Sequence, residues 1–283
     1  MSSVVQARGM SKRYGKFEAL RDISFDIETG SIVGLIGPNG AGKTTTLKAL
    51  LGLTRFDGEL QVLGMDPRRR RHEIMKRVCF IADVGVLPRW LKVCDAIDYV
   101  DGVHEGFNRE KAEALLRETN ILPGQKVRQL SKGMVTQLHL ALVMAIEVDL
   151  LVLDEPTLGL DILYRKSFYE RLLNDYFDHS TSIIISTHQV EEIESLLTHL
   201  IFIDEGRIIL SCSMDELPSL YSEVLVAPED VERALAYAPM HTREMLGKRS
   251  MIFENVSAET LGHFGEVHTP SVADLFVAKM QKG

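Results

Sequence analysis

The run Gly37-Pro38-Asn39-Gly40-Ala41-Gly42-Lys43-Thr44-Thr45 decides how the rest of the chain is read. It follows the apolar segment Ile32-Val33-Gly34-Leu35-Ile36, which reads as a buried strand, and it precedes a helical pattern over residues 44–53. Glycines at 37, 40 and 42 let backbone N–H groups turn inward at close range, and the following helix adds its positive N-terminal end. Together these features suit a triphosphate. Lys43 then reaches the outer phosphates, and Thr44 offers a hydroxyl to Mg²⁺, a hard cation that prefers oxygen ligands and keeps several waters. With glycine near ~7% of residues, the four fixed positions of this pattern arise by chance in roughly one in a hundred chains of this length. A plain glycine-rich turn is therefore the weaker reading.

At 283 residues the chain has room for one large domain and a small one, or for two domains. Hydrophobic residues at 45%, charged residues at 25% and a formal charge of −8 describe an ordinary globular protein, not a disordered one. That acidic balance also argues against a dedicated nucleic-acid binder. The one conspicuous basic run, Arg68-Arg69-Arg70-Arg71, follows Pro67 and reads as a solvated helix start. Cys79, Cys94 and Cys212 have neither metal-ligand nor disulfide spacing and read as buried or half-buried thiols in a reducing compartment. No apolar h-region opens the chain, and the longest apolar candidate, residues 138–153, is interrupted by His139, Glu147 and Asp149. The expectation is a chain that is neither secreted nor membrane-spanning.

Residues 4–27 alternate apolar and polar positions, which suits an antiparallel sheet beside the nucleotide core. Tyr14 lies within them. A lone tyrosine is often a half-buried strand residue, but a ring ahead of a phosphate loop can stack on adenine. Residues 58–65 and 77–82 read as further strands, the second ending at Asp83. Residues 88–130 turn helical, with Trp90, Ile97, Tyr99 and Val100 expected on one stripe and residues 110–119 as an amphipathic helix. Ser131-Lys132-Gly133-Met134 opens another helix that runs to about residue 146.

Leu150-Leu151-Val152-Leu153 then runs uninterrupted into Asp154-Glu155-Pro156. Apolar on both faces, it reads as a central parallel strand. In open α/β sheets ligands bind outside the carboxyl ends of strands, so both acids are delivered to the edge that carries Lys43. There Asp154 can hold Mg²⁺ through its water shell, and Glu155 can take a proton from the water attacking the γ-phosphate. A helix over residues 162–176 and an apolar strand over residues 182–187 follow, the strand ending at His188. At the carboxyl end of a third parallel strand, that histidine can donate a hydrogen bond to the γ-phosphate. His139 and His199 lie in stretches read as helical and are taken as structural. The core closes after a strand, turn, strand signal around Asp204-Glu205-Gly206. Residues 213–283 read as short α and β fragments without a catalytic constellation.

The ordered set resembles the ATP-binding subunit of an ABC transporter over residues 4–212. Tyr14 matches the adenine-stacking position, residues 37–45 the Walker A loop, residues 131–134 the signature, Asp154-Glu155 the Walker B pair, residues 159–161 the D-loop and His188 the switch histidine. The resemblance implies an α/β P-loop NTPase core with a mostly parallel sheet. An antiparallel β subdomain precedes it, an α-helical subdomain is inserted at about residues 88–135, and a small α+β extension follows. It divides the chain into an ATP-binding domain, 1–212, and an accessory subdomain, 213–283. It implies ATP and Mg²⁺ as ligands, and a second ATP-binding subunit, identical or a close paralogue, whose γ-phosphate meets Ser131 and Gly133. It also implies a transmembrane partner and a peripheral location on the cytoplasmic face of the membrane. Lys132, Gly133 and Met134 replace the usual Gly-Gly-Gln of the signature, and Asp83 stands where the family has glutamine. Asp83 could bind the metal through water or withdraw and weaken coupling. These departures resemble a subgroup of bacterial exporters. Two other classes are weaker. A soluble ABC-type ATPase acting on ribosomes or DNA usually has two cassettes or a long coiled coil, and a metabolic P-loop kinase lacks the signature and the switch histidine.

Overall fold

The computed structural model describes residues 3–81, 87–158, 162–177 and 180–281. Strands β1 (Ser3–Tyr14) and β2 (Phe17–Glu28) form an antiparallel hairpin, with Tyr14 opposite Phe17 across its turn. The alternation of Ile23, Phe25 and Ile27 with Ser24 and Asp26 puts the apolar set on one face, where it is buried. β3 (Ile32–Ile36) is buried along its whole length and leads through the glycine loop into α1 (Lys43–Leu50). β4 (Asp57–Val62) then pairs with the free edge of β1 to complete a three-stranded sheet in the order β2-β1-β4.

After the short helix α2 (Arg71–Ile74), β5 (Val78–Ile81) enters the second sheet. A helical insertion follows, comprising α3 (Val93–Val103), α4 (Arg109–Arg117) and α5 (Lys132–Met144). Asn108 and Ser131 cap α4 and α5 by accepting from Lys111 N and Met134 N, at 3.0 and 3.2 Å. Val93, Ile97, Leu116, Val127 and Leu138 give these helices an apolar cluster of their own. The expected single stripe does not form. α3 begins only at Val93, which leaves Trp90 outside it. Ile97 and Tyr99, two residues or about 200° apart on a helix, face opposite ways, the first buried and the second exposed.

The chain returns through β6 (Leu150–Asp154), α6 (Ile162–Arg171), a π-helical turn over Leu172–Tyr176, and β7 (Ser182–Thr187). β8 (His199–Asp204) and β9 (Arg207–Ser213) complete a six-stranded sheet in the order β5-β6-β7-β3-β8-β9, parallel except at its last pair. The α/β class is thus present, with its mostly parallel central sheet. His199 is corrected: it opens β8 and its Nε2 pairs with Ser211 Oγ of β9 at 3.1 Å, so it belongs to a strand and not a helix. The apolar run that follows it decides the matter, because its residues face core on both sides of the sheet.

Residues 213–283 are more than scattered fragments. After α7 (Leu217–Leu220), strands β10 (Tyr221–Val226), β11 (His241–Met245), β12 (Lys248–Glu254) and β13 (Val267–His268) form one antiparallel sheet in the order β11-β12-β10-β13. α8 (Val231–Leu235) and α9 (Ala258–Leu261) cover it around Val224, Val226, Ala234, Phe253 and Leu261. The last helix, α10 (Val272–Met280), turns back to the main core. There Val272, Leu275 and Ala278 are buried, and Phe276 meets Phe202 of β8 edge-on at 5.2 Å.

Burial lowers the proton affinity of His139 on α5 and of His199 on β8 below the ordinary 6.5. An unfolded chain therefore binds more protons than the folded one just below pH 6.5. Stability is fully present above that value and falls as the pH drops through it. Denaturant midpoints measured at pH 7.5, 6.5 and 5.5 are expected to decline, and His139→Gln is expected to flatten the decline. An unchanged slope in that variant would show that His139 titrates normally in the fold.

Candidate functional site

The register of the central sheet assembles the site. Ile36 of β3 lies opposite Thr187 of β7, and Asp154 of β6 lies opposite Ser186. The next residues along each strand, Gly37, His188 and Glu155, therefore leave the same edge together. A cleft of about 430 Å³ opens there. Its walls include Tyr14, Pro38, Asn39, Gly40, Gly42, Lys43, Thr44, Thr45, Asp154, Glu155 and His188. Gly37 and Ala41 are buried just behind it.

The glycine loop has little freedom to vary. Gly42 caps α1 at φ 114°, a conformation L side chains rarely adopt, and a Cβ there would lie 2.7 Å from Ala19 O. At Gly37 the restriction is close approach, since a Cβ would fall 2.2 Å from Ile203 O. Ala41 is locked to the far side by accepting from Gly206 N at 2.9 Å. These contacts hold the loop open as a cradle at the start of α1, where N–H groups lack intrahelical partners.

Lys43 is 6% exposed, and its ammonium is held by three oxygens. It donates to Gly37 O at 2.7 Å and Pro38 O at 3.2 Å, and it stands 3.1 Å from Glu155 Oε1. Glu155 has its other oxygen, Oε2, 2.9 Å from His188 Nδ1. One carboxylate is thus shared by a lysine and a histidine. Its Oε1 is buried and accepts no hydrogen bond, because the lysine contact satisfies distance but not direction. Glu155 also holds a left-handed backbone, φ 49°, which costs energy for a residue with a side chain. Ser186 pins that conformation: its carbonyl and its Oγ accept from Glu155 N at 3.1 and 3.2 Å. The same hydroxyl donates to Asp154 Oδ1 at 2.5 Å, so one serine seats both acids.

A divalent cation is testable against this donor set. Thr44 and Asp154, which both line the cleft, offer a hydroxyl and a carboxylate, both hard oxygen donors. Among the described residues no three His, Cys, Asp or Glu side chains converge as a metal cage. Such a set fits a cation that keeps most of its ligands as water or phosphate, as Mg²⁺ does, and not one requiring an all-protein shell.

Not every candidate residue meets here. Ser131 and Gly133 lie at the exposed start of α5, away from the cleft. Asp83 and Gly159-Leu160-Asp161 lie outside the described residues. Conversely, the cleft includes Phe17, Ala19 and Leu158, which sequence reasoning did not single out. Phe17 is 59% exposed and Tyr14 48%, so two rings stand at its mouth. The Tyr14 hydroxyl lies 3.4 Å from Thr54 Oγ1, and Lys12 Nζ sits 4.8 Å over its ring. Ser186 was missed too. The only signal was a serine facing the strand ending in Asp154, and such pairing is not visible in one strand's own letters.

Burial raises the thiol of Cys79 to about 12 and that of Cys212 to about 11, and all three cysteines are free. Cys79 and Cys212 are structural thiols with no part in the cleft.

Comparisons with known proteins agree with this geometry. The family described as ABC transporter matches residues 20–158. The Nod factor export ATP-binding protein I of Burkholderia lata is 37% identical over 220 residues, covering 72% of this chain and 68% of the relative. The ABC transporter ATP-binding protein YtrB of Bacillus subtilis is 26% identical over 224 residues, covering 79% and 77%. A solved structure titled as the ATP binding subunit of an ABC transporter superposes with a TM-score of 0.67 at 26% identity, covering 76% of this chain and 91% of the other. A nucleotide cradle, an acid pair and a histidine at one sheet edge, together with these relatives, identify the chain as a member of the ATP-binding subunits of ABC transporters, which bind and hydrolyse ATP.

Proposed function

We propose that this chain is the motor of an exporter, converting ATP hydrolysis into movement of separate membrane subunits. The observation that carries this reading is the shared carboxylate of Glu155, held 3.1 Å from Lys43 and 2.9 Å from His188 in the cleft beneath the glycine loop. In this reading residues 1–212 are the ATP-binding domain and 213–283 an accessory subdomain.

Backbone N–H groups of residues 39–45, at the start of α1, bind the triphosphate, and Tyr14 stacks on the base. Lys43 exchanges its carbonyl partners and Glu155 for phosphate oxygens, which removes a positive charge from the glutamate and leaves its Oε1 free to accept a proton from water. His188, fixed through Nδ1 by Glu155, presents its remaining ring nitrogen to the γ-phosphate. Thr44 through its hydroxyl and Asp154 through bound water would hold Mg²⁺, which would neutralise charge on the phosphates; Asp83, outside the described residues, is the third group proposed to serve that ion through water.

Ser131 and Gly133 serve a different molecule of ATP. They lie at the exposed N-terminal end of a 13-residue helix, outside this chain's own cleft. Free N–H groups there suit a γ-phosphate presented by a second ATP-binding subunit, identical or paralogous, so that two nucleotides are enclosed between two chains. Nucleotide-dependent closure and separation of that pair is the mechanical output.

The membrane subunit docks on the helical insertion. Trp90 and Tyr99 are 71% and 69% exposed on one small subdomain, with Leu91 half-buried beside them. Exposed aromatic anchors of this kind receive an amphipathic helix. No helix of the described residues is long and apolar enough to cross a membrane. A peripheral position on the cytoplasmic face, held by the partner, follows from this reading. Export is supported by the name of the Nod factor export relatives, and in this reading the cargo is selected by the membrane chains.

Glu155→Gln is expected to retain ATP binding while kcat falls by roughly 10²–10⁴-fold, the usual loss for a general base, and Lys43→Ala is expected to lose nucleotide binding. Expressed in its native cells and solubilised with ATP and Mg²⁺, tagged Glu155→Gln protein should recover a multi-span membrane protein in near-equal amount. Recovery of ribosomal or DNA-repair components without a membrane protein would contradict the motor reading.

A further inference from the structure

Beside the cleft lies a partly buried polar cluster that the proposed chemistry does not use. Arg165, on the second turn of α6, donates through Nη1 to Gln189 Oε1 at 2.7 Å and to Glu192 Oε1. Glu192 Oε2 accepts from Thr157 Oγ1 at 3.3 Å, and that hydroxyl is 3.2 Å from the Tyr169 hydroxyl. The cluster therefore ties together three segments: residues 156–158 just after Glu155, helix α6, and the 3₁₀ turn Val190–Glu192 just after His188.

The contacts bear directly on the Glu155–His188 pair. Gln189 is the immediate neighbour of His188, and Thr157 lies two residues beyond Glu155. Burial and hydrogen bonding leave little slack. Thr157 is 3% exposed, Tyr169 3%, and the side chains of Arg165 and Glu192 are 19% and 23% exposed. Burial raises the Tyr169 phenol well above its ordinary range, so it remains a neutral hydrogen-bonding group. A half-buried ion pair of this kind does little for stability compared with apolar residues of the same shape, but removing one partner strands the other charge. Its distinctive capacity is to fix geometry.

We propose that Arg165 and Glu192 are positioning residues for hydrolysis: they brace the backbone after His188 against the backbone after Glu155, and so hold the histidine and the carboxylate at hydrogen-bond distance. Neither residue lines the nucleotide cleft. They act through His188 and Glu155, and this role rests on the reading of those two as the hydrolytic pair. Because α6 follows the D-loop segment in sequence, the brace also makes the geometry of that pair sensitive to the position of α6.

The test uses the full chain and separates binding from turnover. Arg165→Met, Glu192→Gln and the double variant are assayed for ATP affinity with a fluorescent ATP analogue and for kcat. Loss of positioning is expected to lower kcat by about tenfold or more in each single variant while nucleotide affinity stays within about threefold. The double variant is expected to be no worse than the worse single, since both remove one brace. Arg165→Lys should recover part of kcat. Gln189→Ala, which removes one strut and keeps the ion pair, covers the case in which a charge deletion fails to fold, and it should lower kcat in the same sense. Unchanged kcat in these variants, equal losses in affinity and kcat, or additive losses in the double variant would overturn the proposal. Absence of ATP turnover in the unmodified chain with its partner present would instead defeat the functional reading beneath it.

Discussion

Glu155 Oε2 lies 2.9 Å from His188 Nδ1 and Glu155 Oε1 lies 3.1 Å from Lys43 Nζ, and these two contacts require three distant segments to end in register. Parallel strand pairing provides the register, with Ile36 beside Thr187 and Asp154 beside Ser186. Each strand is buried along its length, so a slip by one residue is excluded by packing on both faces of the sheet. Core burial and site geometry are in this sense one constraint.

The charge arrangement is the basis on which we propose that nucleotide binding and hydrolysis are linked. The buried ammonium of Lys43 donates to two carbonyls and stands beside the Glu155 carboxylate. A buried cation demands partners. In the proposed mechanism phosphate oxygens offer stronger ones, and their arrival releases the carboxylate that we assign as the base. The strained backbone of Glu155, at φ 49°, keeps that carboxylate aimed along the sheet edge, and Ser186 supports the strain through hydrogen bonds. The C-terminal helix α10 bears on the same region. Glu194 Oε1 accepts from Val272 N at 3.0 Å, which joins α10 to the segment after His188.

Much of this was legible because the decisive signals are local. A glycine loop between an apolar run and a helix, and apolar runs ending in Asp154-Glu155 and His188, state both element type and strand end. The gaps have equally specific causes. Ser186 matters only because β6 and β7 pair, and Arg165 only because α6 packs beside the turn after His188; neither relation has a sequence period. His199 is expected in a helix because the stretch before it has no strand period, whereas two short 3₁₀ turns lead directly into β8 there. Trp90 and Tyr99 were grouped with Ile97 by apolarity, and the helix start at Val93 separates them. The tail read as fragments because its strands are short and separated by prolines and turns, and only their pairing reveals one sheet.

The most direct measurement is a high-resolution structure of the chain with a non-hydrolysable ATP analogue and Mg²⁺. Lys43 Nζ is expected to have left Gly37 O, Pro38 O and Glu155 for the outer phosphates, with a water on Glu155 Oε1 facing the γ-phosphate. A nucleotide bound with the Lys43–Glu155 contact still intact, or seated away from residues 37–45, would contradict the central claim that this cleft is the hydrolytic site.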